Sequence, residues 1–488
     1  MKKLVLLITI IINIVINIEA QQGLTLEVAL DIAEENSPSI KRTRLNLVRS
    51  RENLNAQRAA LKSNFSLSIN PFEYTHNREF NDLVSQWNTR ETTTSYGTFR
   101  ISQPIVATDA TISLTNRLTW QNSYSEYNDT RTEGFSNNLS LNINQPIFTY
   151  NRTKLEIREL ELALENSQLN YAIQRLALER QVAQYFYLVY QQQQSLIIAE
   201  EAFENMKKSY DIIKNKVDAG LSAREELFQA ELNLATSSSD VDNQQVSLAD
   251  AKDDFKLLIG MSLYDDIVVI PDISVDTIDV DIAFAIDHGL ANRMELRQRE
   301  IDIENSEFSL IQTKALNEFR GDLNLSIGLF GDNESLSEIY SSPTDNEQVS
   351  LSLTIPLWDW GERKSRIKAA EASIESQQIS YQQEENDIII NIRKVYRNLT
   401  NLKNQIEIAR QNVINAQLTY ELNLEKYENG DLTGMDLNIY QNQLSEKQLS
   451  FTNAIISYKL ELLNLKIQTL YDFENNESVT PIKELDQE

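Results

Sequence analysis

The sequence has no cysteine and little glycine, proline or histidine. Among its 488 residues are 12 Gly, 8 Pro and 2 His, whereas average usage would give roughly 34 Gly and 24 Pro. Because glycine and proline form turns and end helices, their scarcity disfavours an all-β sandwich or a loop-rich α/β enzyme and favours long helices. The absence of cysteine excludes disulfides, thiolate metal sites, cysteine nucleophiles and a lipid-modified N-terminal cysteine.

The remaining polar residues point away from catalysis and from nucleic acid. The two histidines, His76 and His288, leave little for metal binding or acid–base chemistry. No nucleophile motif or phosphate-binding loop is recognisable, so we predict a protein that is not an enzyme and holds no cofactor or metal. The net charge of -27 disfavours a nucleic-acid partner, because a polyanion would be repelled.

The N-terminus carries an export signal. Met1-Lys2-Lys3 is followed by an apolar run from Leu4 to Ile18, and Ala20 is a small residue at a suitable cleavage position. This pattern predicts a secretory signal peptide at residues 1–20, with an uncleaved anchor as the alternative. No later stretch has 18 consecutive apolar residues, so a mature chain that crosses a membrane would do so as a closed β-barrel.

Two long stretches lack both helix breakers. Residues 151–219 and 362–429 contain neither Gly nor Pro, and each is followed by a single glycine, Gly220 or Gly430. Leucines recur every seven residues in the first stretch, which is typical of a coiled coil. We predict one long helix for each stretch, followed by a glycine turn and a shorter helix at 221–260 or 435–470.

Two other segments alternate apolar and small polar residues. They lie at 65–146 and 322–356, as in Phe65-Ser66-Leu67-Ser68-Ile69 and Val349-Ser350-Leu351-Ser352-Leu353. Such alternation is typical of transmembrane barrel strands with lipid on one face and water on the other. A half-buried strand of a soluble sheet shows the same alternation and remains the alternative.

The two halves of the chain form an internal repeat. Pro146 precedes Gly220 by 74 residues, and Pro356 precedes Gly430 by the same distance. Each half reads as a helix of about 37 residues, a β segment, the long helix, the glycine turn and the shorter helix. The predicted division is a signal peptide at 1–20, a first repeat at 21–261, a connector or belt at 262–281, a second repeat at 282–471 and a polar tail at 472–488.

This duplicated layout resembles the TolC family of outer-membrane efflux channels over nearly the whole mature chain. The residues that carry the resemblance are the paired helix starts, the strand ends Pro146-Ile147-Phe148 and Pro356-Leu357-Trp358, and the two glycine turns with their following helices. The implied fold is mixed: a long α-helical coiled-coil tunnel with a short transmembrane β-barrel, internally duplicated and trimeric.

The resemblance also implies a function and a set of partners. A homotrimer would sit in outer-membrane lipid with a periplasmic extension and meet a periplasmic adaptor (membrane fusion) protein and an inner-membrane transporter. It would be the passive exit duct of a tripartite efflux pump or a type I secretion system. From another class, an exported coiled-coil scaffold or adhesin with a soluble β domain remains the alternative.

The number of strands is open at this point. The family pattern gives four strands per protomer and twelve in the trimer, but the first half has 46 extra residues within about 75–135. These residues could add two strands per protomer, giving eighteen, could lengthen the usual strands, or could form an extracellular flap. We favour four membrane strands with an elaborated first hairpin.

The resemblance assigns roles at the glycine turns. The turns would form the rim on which adaptor hairpins dock, and the alternative for both glycines is a purely structural helix cap. Asp436 and Glu226, six residues after the two glycines, would lie at the tunnel constriction, with two solvated acids as the alternative. The predicted docking residues are Gly220, Leu221, Ser222, Gly430, Leu432 and Thr433.

Two further sets of residues follow from the resemblance. Tyr427 matches a latch tyrosine and Glu226 its acidic partner, while Leu432 replaces a family arginine for which Arg224 could substitute. Pro146, Pro356 and Trp358 would form the elbows between strand and helix, with Trp358 in an aromatic girdle.

Overall fold

The computed structural model describes residues 22–82, 85–274, 278–429 and 431–479. The predicted signal peptide, Gly430 and the end of the tail at 480–488 lie outside these ranges. None of the helices in the described ranges is both long enough and apolar enough to cross a membrane.

Long helices dominate the described chain, and strands fall into one large sheet and two small ones. The helices are α1 (Leu26–Asn36), α2 (Pro38–Ala60), α3 (Arg152–Asp218), α4 (Arg224–Ile259), α5 (Ile282–Asn292), α6 (Met294–Lys314), α7 (Glu362–Asn429) and α8 (Gly434–Thr469). The strands are β1 (Gln22–Leu24), β2 (Asn64–Asn81), β3 (Gln86–Ile105), β4 (Ala110–Ser125), β5 (Thr130–Ile147), β6 (Ile267–Val269), β7 (Arg320–Asn333), β8 (Thr344–Thr354), β9 (Tyr471–Asp472) and β10 (Glu477–Ser478).

The two breaker-free stretches form uninterrupted helices. Helix α3 has 67 residues and α7 has 68, close to the ranges 151–219 and 362–429. A chain without Gly or Pro loses no backbone hydrogen bond and gains no extra flexibility along such a helix. The shorter partners α4 and α8 each have 36 residues.

The helix expected before each β segment is in fact two helices. In the first half Ser37 leaves helical geometry with ψ 128°, and Pro38 opens α2, where its missing N–H costs nothing. In the second half the break falls at Arg293, with ψ 124°. There the Arg293 guanidinium donates to the carbonyl of Ile467 at 3.2 Å, so a contact distant in sequence holds the bend.

The chain folds into two compact units, and each takes segments from both sequence repeats. The first contains the described residues of Met1–Asn46, Gln168–Arg297 and Gln382–Glu488. The second contains Leu47–Ser167 and Gln298–Tyr381. The repeats at 21–261 and 282–471 are therefore not themselves the compact units, and the predicted domain division stays a prediction.

In the first unit, an aromatic and aliphatic core ties the N-terminal segment to α3 and α4. Phe186 and Phe255 are fully buried with ring centroids 6.1 Å apart. Gly260 ends α4 with φ +75°, and a Cβ there would lie 2.5 Å from the Asn36 carbonyl oxygen. The connector supplies β6, which pairs in parallel with β1.

The second unit contains a large antiparallel sheet. Among the described residues it has six strands, in the order β2-β3-β4-β5-β7-β8. The sheet therefore has two strands more than the family pattern of four, because the extra residues of the first half form two full-length strands in it. Which of the six lie in the membrane stays a prediction. Strands β3 and β4 pair with each other along the whole of β4, from Ile105 with Ala110 to Arg90 with Ser125.

The two faces of the large sheet differ in polarity. Residues paired directly in an antiparallel sheet lie on the same face. One row is apolar on five strands: Phe65, Ile101, Leu114, Leu141 and Ile327, followed by Glu347. The adjacent row on the other face is polar throughout: Asn64, Ser102, Ser113, Asn142, Ser326 and Gln348.

Candidate functional site

The predicted site residues of the first glycine turn lie between α3 and α4. Gly220 has φ +74°, and the next residue, Leu221, donates its N–H to the Lys216 carbonyl at 2.7 Å, which closes the end of α3. Leu221 is 80% exposed. This turn therefore presents an apolar side chain to solvent, and its role in adaptor docking stays a prediction.

The second turn is built differently. Gly430 lies outside the described residues, and the neighbouring Asp431 N–H donates to the Lys426 carbonyl at 2.9 Å. Thr433 caps α8, because its Oγ1 accepts from the Asp436 backbone N–H at 3.2 Å and donates to the Asp436 carboxylate at 2.7 Å. Asp436 is thus fixed in the first turn of α8, where the helix dipole favours a negative charge.

Behind these turns a buried cluster joins four helices. We call it the turn cluster and define it as Ile213, Ala230, Ala416, Tyr420, Tyr427, Leu437 and Leu444. These residues come from α3, α4, α7 and α8. Leu432, at the position of the family arginine, packs against the turn cluster. Leu432 therefore contributes apolar packing at this position.

Tyr427 is the polar centre of the turn cluster. It is 3% exposed, its hydroxyl accepts from Ser209 Oγ at 3.2 Å and donates to the Ser209 carbonyl at 3.3 Å. The Lys216 ammonium donates to the Tyr427 carbonyl at 3.3 Å and lies 5.2 Å from its ring centroid. The pKa of the Tyr427 hydroxyl lies above its ordinary value. Burial is the main cause and the Glu226 charge adds to it, while the Ser209 hydrogen bond acts in the opposite direction.

The predicted partner of Tyr427 is occupied elsewhere. The Glu226 carboxylate accepts a hydrogen bond from Ser222 Oγ. Within the described part of one chain, no hydrogen bond joins Tyr427 to Glu226, and exposed Arg224 has no ion-pair partner. The structure therefore brings Tyr427 and Ser209 together, while the roles predicted for Glu226 and Arg224 stay predictions.

Three residues of this site could not be identified from the sequence. Ser209 and Lys216 lie on α3, more than 200 positions from Tyr427, and nothing local marks them as its partners. Gly434 begins α8, where a Cβ would lie 3.2 Å from Ile213 Cδ1 and 3.7 Å from the Tyr427 ring. Glycine therefore lets α8 approach the tyrosine closely.

The elbows have helix caps that the sequence did not reveal. At the first elbow Pro146 still pairs with Asp322, and Asp109, from the turn between β3 and β4, accepts from the N–H groups of Arg152 and Thr153 at 3.3 and 3.1 Å. At the second elbow, which follows Pro356, Asp359 accepts from the N–H groups of Gly361 and Arg363 at 2.9 and 3.1 Å. An aspartate therefore accepts from amides at the start of each long helix, and in α3 Asn151 Oδ1 also accepts from the Lys154 N–H at 2.8 Å.

Trp358 lies exposed at the second elbow. Its ring packs edge-on against Trp360 with centroids 5.6 Å apart, and the two side chains are 74% and 90% exposed. Large exposed aromatic rings suit an interface between lipid and water. Their place in an aromatic girdle stays a prediction.

Comparison with known proteins identifies the family. A family model described as "Outer membrane efflux protein" matches residues 104–260 and 285–466, well over half of the chain. The cation efflux system protein CusC of Escherichia coli K12 is 22% identical over 318 residues, which is 64% of this chain and 67% of the relative. The corresponding protein of the O157:H7 strain is 22% identical and is covered over 66% of its length.

Solved structures share the fold over nearly the whole chain. The outer membrane channel CmeC of Campylobacter jejuni superposes with a TM-score of 0.71 at 15% identity, covering 95% of this chain and 88% of that one. The open-state channel MtrE of Neisseria gonorrhoeae gives a TM-score of 0.66 at 14% identity, covering 93% and 90%. These likenesses confirm the predicted fold class.

The family match also decides between the functional alternatives. A coiled-coil scaffold or an enzyme on a helical frame would not match an efflux-channel family over both halves of the chain. The matched residues include strands β4, β5, β7 and β8 together with α3, α4, α7 and most of α8. The chain belongs to the outer membrane efflux protein family, whose members are passive channels of the outer membrane and not enzymes.

Proposed function

We propose that this chain forms the homotrimeric exit duct of a tripartite efflux pump, reaching from the outer membrane into the periplasm. A periplasmic adaptor and an inner-membrane transporter would complete the pump and supply the energy. The observation that carries this proposal is the four-helix turn cluster, closed around Tyr427 beneath two helix turns. Such a buried polar centre at the end of long helices suits a gate.

The adaptor would dock on the two turns. Leu221 is exposed at the first turn, and Thr433 is exposed at the second. An exposed leucine held by a rigid, hydrogen-bonded turn can enter an apolar pocket of a partner with little loss of conformational entropy. Gly220, Ser222, Gly430 and Leu432 complete the proposed docking residues.

Asp436 would give the constriction a preference for cations. In a trimer, three copies of this carboxylate around one axis attract cations and repel anions. Ile439 follows three residues later, so no second acid reinforces the ring at that position. Glu226, exposed in the first turn of α4, would add a further carboxylate to the constriction.

Light scattering of the detergent-purified protein, followed by single-channel recording in planar bilayers, tests the proposal. We expect a trimer that carries ion current with a cation preference. The variant Asp436→Asn should keep the Thr433 cap, because an amide oxygen still accepts a hydrogen bond, and should move the reversal potential toward that of anions. Asp431→Asn, in the same turn, is the matched control. A monomer without ion current would overturn the proposal.

A further inference from the structure

A cleft of about 610 Å³ opens in the first unit, between α1, α3, α8, the connector and the segment around β9. Binding sites for small molecules commonly enclose about 300–1,000 Å³. We infer that this cleft binds an amphipathic organic cation, one with an ammonium group and an apolar body. The cleft shares no residue with the glycine turns or the turn cluster, so the inference goes beyond the proposed duct function.

The cleft has an excess of negative charge. Its two ammonium groups belong to Lys459 and Lys466, and with five carboxyl groups beside them the lining has a formal charge of -3. The carboxyl groups are those of Glu27, Glu179, Asp272, Asp472 and Glu474. Because walls of low dielectric strengthen such a field, the cleft attracts cations.

Both lysines are already engaged. Lys466 lies 3.1 Å from the Asp472 carboxylate and 3.9 Å from that of Glu179, and Lys459 lies 4.0 Å from Glu474. An anionic ligand would therefore find no ammonium group that is free of a carboxylate.

Two of the carboxylates have no such partner. In the part of the chain that the structure describes, neither Glu27 nor Asp272 forms an ion pair. Asp272 accepts a hydrogen bond from the Ser274 N–H at 2.9 Å, and Glu27 is exposed in the first turn of α1. These two acids can therefore accept hydrogen bonds from a bound ammonium group.

A buried tyrosine supplies a further polar contact. Tyr187 lines the cleft and is 6% exposed, yet its hydroxyl makes no hydrogen bond within the described residues. Burial raises the pKa of this hydroxyl to about 12, and the charges of Asp272 and Glu474 contribute to the rise. Since both acids line the cleft, the hydroxyl points into it. An unpaired polar group at a buried position is costly, and a ligand would satisfy it.

The rest of the lining suits an apolar body. Leu30, Ala183 and Leu462 contribute aliphatic surface from three helices. Phe473 adds an aromatic ring, which packs edge-on against Tyr471 with centroids 4.9 Å apart and is thereby oriented. Aromatic rings attract ammonium groups through their faces. Apolar walls with a few polar groups are typical of sites for organic ligands.

Two other occupants are less suitable. No group of three or more acidic or histidine side chains among the described residues is arranged to hold a metal ion. Residues 480–488, which follow the described chain, contain three acids and one lysine, so they have the same sign of charge as the cleft. An organic cation meets both the charge and the apolar surface.

Isothermal titration calorimetry of the detergent-purified full chain tests the inference with three ligands that share one apolar body. Phenethylammonium is a cation at pH 7, phenethyl alcohol is neutral and phenylacetate is an anion. We expect saturable binding of the cation, about tenfold tighter than that of the alcohol, because hydrogen bonds to charged groups are stronger. The anion should not bind. The cation should also raise the denaturation midpoint, since it binds the folded chain.

Matched variants locate the site. Glu27→Gln removes an exposed charge and should weaken binding of phenethylammonium about fivefold. Glu35→Gln, also exposed on α1 but outside the cleft, changes the net charge equally and should leave the affinity unchanged. Tyr187→Phe should weaken binding about fivefold. Tyr190→Phe, on the same helix and outside the cleft, should have no effect.

Three results would overturn the inference. The first is equal binding of the three ligands, which would indicate partition into the micelle. The second is an equal loss of affinity in Glu27→Gln and Glu35→Gln, which would indicate a general charge effect. The third is unchanged affinity in both Glu27→Gln and Tyr187→Phe. None of them bears on the trimer or its ion current, which test the proposed function separately.

Discussion

Tyr427 and Ser209 exchange two hydrogen bonds between α7 and α3, one through the serine hydroxyl at 3.2 Å and one to the serine carbonyl at 3.3 Å. Their side chains are enclosed by apolar residues of the turn cluster. A hydrogen bond in such surroundings contributes about 1 kcal/mol and leaves a costly unpaired group when broken. This contact therefore holds α7 against α3 at the end of the two long helices.

Removing the Tyr427 hydroxyl should loosen the gate. Tyr427→Phe keeps the ring in the turn cluster but loses both bonds to Ser209, so the closed arrangement becomes less stable by about 1–2 kcal/mol. Single-channel conductance or open probability in planar bilayers should increase. Tyr440→Phe, on a partly buried tyrosine beside the same cluster, is the control. Unchanged conductance in Tyr427→Phe would show that Tyr427 is not a latch.

The cap supplied by Asp109 should stabilise the start of α3. Asp109→Gly removes the acceptor for the N–H groups of Arg152 and Thr153, and glycine tolerates the φ of +62° at this position. The loss of such an acceptor costs about 1 kcal/mol, and amide hydrogen exchange at residues 152 and 153 should accelerate, whereas the Lys154 amide keeps its bond to Asn151 Oδ1.

A matched control separates capping from turn geometry. Asp129 also has positive φ, at +48°, but its carboxylate accepts from Tyr124 and caps no helix. Asp129→Gly should leave exchange at residues 152 and 153 unchanged. Equal exchange in the two variants would contradict the capping role of Asp109.

Glu179 should make stability depend on pH. Burial raises the pKa of this carboxyl above its ordinary value, although Lys466 and Arg175 favour its charged form. An acid whose pKa is raised by folding binds its proton more tightly in the folded state. Its ionisation therefore costs no stability below the unfolded pKa and the full penalty above the folded pKa.

Glu179→Gln should consequently raise the denaturation midpoint at pH 8 and change it little near pH 4. Glu156→Gln, at an exposed position of the same helix, is the control and should shift the midpoint little at either pH. A lower midpoint for Glu179→Gln at pH 8 would mean that the pairing with Lys466, 3.9 Å away, outweighs the cost of burial.

Arg117 should influence ion selectivity. It lies on the polar face of the large sheet, paired with Thr98 and Asn138, and its guanidinium stacks 4.0 Å from the Tyr96 ring centroid. It has no carboxylate partner in the described residues. Arg117→Glu should shift the reversal potential toward that of cations. Arg131→Glu, whose register places it on the opposite face, should not.

The sequence predicted the regular features well because local rules decide them. Absence of Gly and Pro determines α3 and α7 almost to the residue, and alternation marks β2, β7 and β8. The strands β3 to β5 were harder to count, because Asn116 and Asn137 interrupt the apolar face. Their amides satisfy each other through two reciprocal hydrogen bonds of 3.1 Å, a compensation visible only when the strands are paired.

Contacts between residues distant in sequence account for what could not be predicted. The break at Arg293 has no proline or glycine beside it and depends on the carbonyl of Ile467. The partner of Tyr427 is a serine 218 positions away, in a helix with several other hydroxyl groups. No spacing rule connects such pairs, because only the packing of helices distant in sequence brings them together.

The Asp109 cap also limits how the strand region can be remodelled. The turn that holds this aspartate joins β3 to β4. Deleting the β3–β4 hairpin would therefore remove the acceptor of the first two amides of α3. A shortened, four-stranded derivative would need a new acceptor at that helix end, whereas the second elbow carries its own in Asp359. For engineering a narrower pore, the first half of the chain is therefore the constrained half, and redesign should begin with a replacement cap.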